Sequence, residues 1–315
     1  MNGGIGKKKK IIIQLYGKKQ NYYLTNNIKM NTTNKNYTIG VDIGGTKMSA
    51  VLFDGAKILA DYTLVTPKDN LEHFMIMLNA LIEPLLDKAR QDQVLVKNIG
   101  VGVAAILDYQ EKKVLNAPNI PLLNGQKLLA CLETRLNLNI RLDNDANCFT
   151  RAEAKIGAGK KYKNVFGITI GTGIGGAWWF NEEIYLGAHG GAGEPGWLVI
   201  DYQNGIRLEE AYHKLVQNNP ASLAEEAYRG DILAEKFYQE FGHYLGINLA
   251  NIVNIIDPEI IVLGGAVINS SDLFLSKTKK SMRSFIKSET ARKIKVVKSS
   301  LGEKAGAIGA AMLFS

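Results

Sequence analysis

The sequence has few of the residues that build covalent or metal-based frameworks. Its 315 residues include only two cysteines, Cys131 and Cys148, together with four histidines and seven prolines. Two cysteines cannot form a disulfide-rich framework or a four-thiolate zinc site. No uninterrupted apolar run approaches the roughly 18 residues that cross a bilayer, so we expect no transmembrane helix. These absences favour a globular protein in a reducing compartment, and we expect a cytoplasmic location.

Acidic residues are missing from the start of the chain. The net charge is +8, but residues 1–29 hold seven lysines and no Asp or Glu, so subtracting these seven charges leaves +1 for residues 30–315. A basic excess of this size normally suggests a nucleic-acid surface. Because the excess lies in one terminal segment, we expect the body of the protein to bind neither nucleic acid nor membrane.

The same segment lacks the features of a targeting sequence. Its one apolar run, residues 11–13, is shorter than the core of about 7–15 residues in a secretory signal, and residues 1–36 contain none of the Arg and Ser that transit peptides favour. We interpret residues 1–36 as a disordered basic extension, with Met30 as a candidate for the true start. A basic arm that binds nucleic acid or anionic lipid is the alternative.

Beyond residue 36 the sequence alternates between strand and helix patterns. Apolar alternation and short buried runs predict strands at 38–43, 48–53, 57–65, 97–105, 139–143, 259–263 and 294–298. Helical periodicity predicts helices at 70–90, 145–157, 206–217, 222–229, 232–255, 270–287 and 304–313. Such alternation is typical of α/β proteins with covered sheets.

The opening of this pattern occurs twice, 127 residues apart. Ile39-Gly40 corresponds to Phe166-Gly167 and Phe53 to Phe180, and each copy reads as strand, glycine turn and strand. A repeated domain start indicates internal duplication, and chance similarity between two glycine-containing hairpins is the alternative. We therefore predict an N-terminal lobe, residues 37–145, and a C-terminal lobe, residues 146–315, with a cleft between them.

Each half carries a glycine turn suited to phosphate. In residues 42–47 (DIGGTK) the glycines expose backbone N–H groups, Thr46 offers a hydroxyl and Lys47 a charge. Residues 171–176 (GTGIGG) form the second turn. Because the sequence pattern predicts a strand after each turn, neither turn fits the P-loop or the dinucleotide fingerprint. Together the turns could grip one polyphosphate, and Asp42 could hold Mg²⁺ through water.

The stretch NDAN (144–147) lies where a strand ends and a helix begins. Asn144 or Asp145 could simply cap that helix. The functional interpretation makes Asp145 the general base that takes the proton of an attacking hydroxyl. Phosphoryl transfer requires little else from the protein besides positioning and neutralisation of charge.

Taken in order, DIGGTK, NDAN, GTGIGG and AGEPG (192–196) resemble the ROK family of bacterial sugar kinases. The resemblance covers about residues 37–313 and includes APNIPLLNG (117–125), IIVLGGAV (260–267) and EKAGAIGAAML (303–313). It implies an α/β fold of two duplicated lobes of the actin-like, ribonuclease H-like ATPase type. It also implies phosphorylation of a hexose, glucose above all, at its 6-hydroxyl with ATP and Mg²⁺, and a homodimer.

The resemblance further implies roles for individual residues. Asp145 would be the base, while Asp42 stays the candidate for Mg²⁺ on the chemistry of its own turn. The phosphates would face Gly44, Gly45, Thr46, Lys47, Gly171, Thr172 and Gly173, and the adenosine would face Gly264 and Gly265. The sugar would bind Asn119, Asn144, Asp145, Glu194 and Glu210, with Glu209 as the alternative to Glu210. Asn119 and Glu194 could also be ordinary turn residues beside Pro118 and Pro195.

The sequence departs from the family pattern on the sugar side. Trp197 stands where many members have His, residues 201–210 lack the cysteine run that binds a structural zinc, and Ala105-Ile106 replaces the usual Pro-Gly. Structural zinc is therefore not expected. The departures leave fructose, mannose, allose and N-acetylated hexosamines open as alternatives to glucose.

Two other classes of function stay open. A sugar-sensing repressor of the same family would need a winged helix-turn-helix domain ahead of the body, and residues 1–36 are too short and lack helical periodicity for one. A catalytically weak sugar binder is suggested by Trp197 and the missing cysteine run, whereas Asp145 favours an enzyme.

Overall fold

The computed structural model describes residues 37–136, 138–216 and 219–315. The disorder expected for residues 1–36, and the alternative of a basic arm there, lie outside the described residues. Within the described part, strands and helices alternate along the chain and form two sheets that are covered by helices.

The first half of the chain builds a five-stranded sheet. Its elements are β1 (Tyr37–Ile43), β2 (Lys47–Phe53), β3 (Ile58–Val65), α1 (Leu71–Gln91), β4 (Val96–Val103), β5 (Ile106–Asp108), β6 (Lys113–Asn116), α2 (Leu128–Leu136) and β7 (Asn139–Asn144). The strand order is β3-β2-β1-β4-β7, while β5 and β6 pair separately as a small hairpin. Helix α1 buries Phe74, Leu78 and Leu85 against the sheet, since residues three and four apart share one helix face.

The second half builds another five-stranded sheet. Its elements are α3 (Asp145–Lys155), β8 (Asn164–Ile170), β9 (Ile174–Phe180), β10 (Glu183–Ile184), β11 (Val199–Asp201), β12 (Ile206–Arg207), α4 (Leu208–Val216), α5 (Pro220–Tyr228), α6 (Ile232–Ile256), β13 (Ile260–Gly264), α7 (Leu275–Phe285), β14 (Lys295–Lys298) and α8 (Ala305–Ala311). The strand order is β10-β9-β8-β13-β14, and β11 pairs only with β12. The 25-residue α6 is the longest described helix, and none of the described helices is long and apolar enough to cross a bilayer.

The two sheets repeat one topology. In each, the first three strands are antiparallel neighbours and the last two are added in parallel. Strands β8 and β9 begin 127 residues after β1 and β2, which is the spacing of the sequence repeat. The predicted α/β fold of two duplicated lobes is therefore confirmed, and the division at residues 145/146 stays a prediction.

Two helices join the halves by packing on the opposite sheet. Helix α3 follows β7 of the first sheet but packs on β8 and β9, whereas α8 follows β14 but packs on β1 and β4. The two helices also pack against each other. Glycines allow this closeness: a Cβ at Gly100 would overlap the carbonyl oxygen of Ala310, and one at Gly309 would overlap that of Cys148.

Some elements differ from the pattern-based predictions. The helix predicted at 270–287 is divided into a 3₁₀ segment, Ala266–Leu273, and α7, because Phe274 leaves the helical conformation (φ −136°) to bury its ring. The helix predicted at 206–217 starts at Leu208, since Ile206–Arg207 pairs with β11. The β5–β6 hairpin was not predicted, because its strands have only three and four residues.

We predict that Gly100→Ala destabilises the protein by about 3 kcal/mol, because the added methyl group must push α8 off the first sheet. Gly191→Ala is the control: nothing lies within 4 Å of its added Cβ, and we expect a change below about 0.5 kcal/mol. Urea unfolding measures both variants. Equal stabilities of the two would contradict the close contact.

Candidate active site

The two predicted phosphate turns meet. Gly44–Lys47 links β1 to β2, and Gly171–Gly173 links β8 to β9, each closed by a backbone hydrogen bond of 3.0 and 2.9 Å respectively. The hydroxyl oxygens of Thr46 and Thr172 lie 3.2 Å apart. Because equivalent turns of the repeated sheets point toward each other, their backbone N–H groups and hydroxyls converge on one region.

Two residues from outside the glycine turns, Asn119 and Glu303, contact the first turn, Gly44–Lys47. Gly45 is buried because Asn119 lies against it, and a Cβ there would be 2.6 Å from the Asn119 Cβ. The Lys47 ammonium donates a hydrogen bond of 2.5 Å to Glu303, which lies just before α8. The predicted sugar-facing Asn119 therefore lies directly beside the predicted phosphate turn.

Asp145 is the first residue of α3 and lies half-buried at the end of β7. Burial raises the pKa of its carboxyl to about 6, the N–H groups of Ala146 and Asp145 lower it, and the charge of Asp143 raises it further. Such a carboxyl group is largely ionised at neutral pH and is still a stronger base than an ordinary aspartate. Both properties suit a general base.

Asn144 is the N-cap of α3, one of the two residues that the sequence pattern offered for this structural role. Its Oδ1 accepts hydrogen bonds from the N–H groups of Ala146 (2.8 Å) and Asn147 (3.1 Å), and its Nδ2 donates to the carbonyl of Ala105 (3.1 Å). The oxygen and the nitrogen of the side-chain amide are thus both hydrogen-bonded within the protein. Its predicted contact with a sugar stays a prediction.

Asp42 lies at the end of β1, half-buried against Gly306 in the first turn of α8. Burial, and next the charge of Asp145, raise the pKa of the Asp42 carboxyl to about 7, and Lys47 partly offsets them. Neighbouring carboxylates of this kind suit a hard cation such as Mg²⁺. Among residues 37–136, 138–216 and 219–315, no three His, Cys, Asp or Glu side chains form a group that could hold a metal ion.

Two further carboxylates accompany Asp145. Burial raises the pKa of Glu194 to about 7, and the charges of Asp145 and Glu209 add to the effect. Glu209 accepts a hydrogen bond from the Ile174 N–H (3.1 Å) and lies against the second glycine turn. Glu210 instead points outward, where its half-exposed carboxylate pairs with Arg207 (3.1 Å). The geometry thus favours the sequence alternative, Glu209, as the residue facing the site.

Some residues that hold the backbone of the candidate site lie outside every motif recognised in the sequence. Asn248, fully buried on α6, donates to the carbonyl of Pro195 (2.8 Å) and holds the turn that follows Glu194. The Tyr212 hydroxyl donates to the carbonyl of Gly171 (2.7 Å) in the second glycine turn. An asparagine and a tyrosine inside apolar helical patterns look like ordinary core residues, so only the fold reveals these contacts.

The predicted adenosine-facing glycines, Gly264 and Gly265, lie at the end of β13. A Cβ at Gly264 would overlap the ring of Phe149 on α3, and Gly265 (φ +86°) lies against the backbone of Ile170 at the end of β8. Glycine is required at both positions by close packing. Their contact with a nucleotide stays a prediction.

Trp197 stacks with an arginine. Its half-exposed indole lies under the guanidinium of Arg207, 4.6 Å from the ring centroid, and Arg207 in turn pairs with Glu210. This cation–π contact joins the Pro195–Trp197 turn to β12. Cys131 is exposed and Cys148 is buried beside α8, so the two cysteines lie apart from this segment.

Comparison with known sequences identifies the family. The ROK family profile matches residues 38–315. The chain belongs to the ROK family. A relative in Mannheimia succiniciproducens, an N-acetyl-D-glucosamine kinase, is 30% identical over 87% of this chain and 98% of its own length. The xylose repressor of Bacillus subtilis is 27% identical over 87% of this chain and 75% of its own length.

A solved ROK structure has the same architecture. The ROK glucokinase of Streptomyces griseus, in complex with glucose and AMPPNP, superposes with a TM-score of 0.74 at 27% identity, covering 88% of this chain and 98% of that chain. The ROK resemblance of the sequence is thereby confirmed, and the two lobes match those of an ROK sugar kinase.

We predict that Asp42→Asn becomes more stabilising, relative to the parent protein, as the pH rises from 5 to 8. The folded protein binds a proton on Asp42 up to about pH 7, whereas the unfolded chain releases it near pH 3.8, so the parent loses stability across this interval. Asparagine does not titrate and avoids this loss. Urea unfolding of metal-free protein at both pH values measures the difference.

Asp87→Asn, on the exposed face of α1, makes the same chemical change away from the site. Its stability difference should vary less with pH. If the two variants showed the same pH dependence, burial beside Asp145 would not be what perturbs Asp42.

Proposed function

We propose that this protein is a hexokinase that transfers the terminal phosphoryl group of ATP to the 6-hydroxyl of glucose. The observation that carries the proposal is the meeting of the two glycine turns, Thr46 to Thr172, on the side of the sheets where Asp145 begins α3. A polyphosphate gripped by both turns would place its terminal phosphate near that carboxylate. The similarity to an ROK glucokinase structure that contains glucose and an ATP analogue supports this assignment.

Asp145 would accept the proton of the 6-hydroxyl as its oxygen attacks the phosphorus. Phosphoryl transfer demands positioning and charge neutralisation more than covalent help from the protein, so one well-placed base suffices. Its pKa of about 6 leaves it mostly ionised at neutral pH, and partial burial keeps competing water away.

The two turns and Lys47 would hold the phosphates through N–H groups, hydroxyls and one ammonium. To reach a phosphate, Lys47 would have to exchange its bond to Glu303. Asp42 would hold Mg²⁺ through water, and the ion, when bound, neutralises charge on the transferring phosphoryl group.

On the sugar side, Asn119, Glu194 and Glu209 would supply donors and acceptors to the hydroxyls. With a pKa of about 7, Glu194 is partly protonated near neutral pH and can donate as well as accept a hydrogen bond. Asn144 stays a predicted ligand although it caps α3, whereas Glu210 pairs with Arg207 at the surface and Glu209 takes its place in this proposal.

N-acetylglucosamine is the second candidate substrate, because the relative from Mannheimia succiniciproducens is a kinase of that sugar at 30% identity. A sugar-responsive regulator is the second candidate class, motivated by the relative that is a xylose repressor. The arrangement of Asp145 beside two phosphate turns favours a kinase over a repressor. A homodimer, a cytoplasmic location and the absence of nucleic-acid binding stay predictions.

We predict that the purified protein releases ADP from Mg-ATP with glucose or N-acetylglucosamine, and that Asp145→Asn lowers kcat by about a thousandfold while sugar binding persists. The kcat/KM of the parent should fall about tenfold per pH unit below about pH 6, where Asp145 becomes protonated. A coupled ADP assay and calorimetry measure both effects.

The assay panel adds fructose, mannose and allose to the two favoured sugars. If none of the five sugars is phosphorylated, the kinase assignment is wrong. Salt-sensitive binding to a specific DNA sequence would instead support the regulator.

We predict that Glu209→Gln raises the KM for the sugar at least about tenfold, since Glu209 holds Ile174 and faces the site. Glu210→Gln is the matched control and should change KM less than about twofold, because its exposed ion pair contributes little. Steady-state kinetics of both variants decides between the neighbours. A larger effect at Glu210 would restore that residue as the sugar ligand.

A further inference from the structure

Asp143 is the centre of a buried polar network behind Asp145. Its Oδ2 accepts from Arg151 (2.7 Å), and its Oδ1 accepts from the Asn147 amide (2.8 Å), the Asn144 N–H (2.8 Å) and the Tyr109 hydroxyl (2.9 Å). The Asp143 side chain is 7% exposed and that of Arg151 14%. A buried carboxylate with four donors has one favoured orientation, because losing any donor leaves a desolvated charge underpaired.

The network orients the residues of the proposed active site. The Asn144 N–H donates to Asp143, while the Asn144 side chain caps α3, so the peptide leading to Asp145 is held from both sides. Asn147 in the first turn of α3 and Arg151 in the second turn both donate hydrogen bonds to Asp143. A displacement of the Asp143 carboxylate would therefore shift the start of that helix.

Tyr109 brings a second segment to this network. It lies in the turn of the β5–β6 hairpin, half-buried, and its ring packs on Gly190 of loop 185–194, the segment between β10 and Pro195 that contains Glu194. A Cβ at Gly190 would be 3.0 Å from the ring edge of Tyr109. Burial and the neighbouring Asp143 keep the pKa of the Tyr109 hydroxyl above its usual value, so the hydroxyl stays a donor.

We propose that Tyr109 is a positioning residue that ties loop 185–194 of the second half to the strand end carrying Asp145. Its ring contacts the loop at Gly190, and its hydroxyl holds the Asp143 carboxylate in one orientation. When a sugar engages Glu194 and orders the loop, the same tyrosine aligns the start of α3. The effect on kcat rests on the proposed function. The coupling between loop 185–194 and the start of α3 rests only on the contacts of Tyr109 with Gly190 and Asp143.

Tyr109→Phe tests the coupling. The ring remains against Gly190, and the variant loses both hydrogen bonds of the hydroxyl, which donates to Asp143 and accepts from the Asn147 amide (3.2 Å). Alanine would be a poor choice, because the ring also borders a cavity of about 400 Å³ that truncation would enlarge. The matched control is Tyr228→Phe, which removes a hydroxyl bond of 2.8 Å to Asp272 on an exposed surface.

We expect Tyr109→Phe to lower kcat about tenfold, mainly because the hydrogen bond to the charged Asp143 carboxylate is lost, with the KM for ATP within about twofold of the parent. Tyr228→Phe should match the parent in both constants. A kcat equal to that of the parent, or an equal loss in both variants, would overturn the proposal.

Amide hydrogen exchange separates this proposal from the kinase assignment. Without any ligand, Tyr109→Phe should increase exchange at residues 144–147 and 190–192 at least about threefold, while Tyr228→Phe should not. An inactive parent would refute the kinase assignment and leave this readout intact. Unchanged exchange in both segments would refute the coupling even if the parent is active.

Discussion

The close packing of α3 on α8 is the constraint on which the rest of the structure depends. Each helix follows one sheet and packs on the other, so their contact fixes how the two halves face each other. Gly309 lets α8 approach the backbone of α3, and Gly100 of β4 lets the same helix approach the first sheet. From this geometry follows the meeting of Thr46 with Thr172, since each turn is rigidly attached to its own sheet.

The same packing concentrates negative charge. Asp42, Asp145 and Glu194 come from three separate elements, and burial is the main cause of the raised pKa in all three. Keeping unpaired carboxylates in a desolvated region costs stability, as expected where function rather than folding selects the residues. A bound cation and a hydroxyl-rich ligand would offset this cost.

Much of the fold could be predicted because it is encoded locally. The strand–glycine turn–strand pattern recurs at a fixed spacing, and both copies form the expected hairpins. The site was harder to predict wherever a side chain acts through a distant partner. Glu209 and Glu210 differ only in which way the first turn of α4 points them, and helical rotation is not readable to one residue from a pattern. The links from Asn248 to Pro195 and from Tyr109 to Asp143 span 53 and 34 residues, so no local signal could reveal them.

The placement of α8 has a consequence for how the chain acquires its fold during synthesis. Strands β1 and β4 emerge from the ribosome early, but the helix that covers their face at Gly40 and Gly100 is residues 305–311. The face of the first sheet that α8 covers therefore stays exposed until residues 305–311 have been translated. Apolar surface that is exposed in this way makes a partly synthesised chain prone to aggregation.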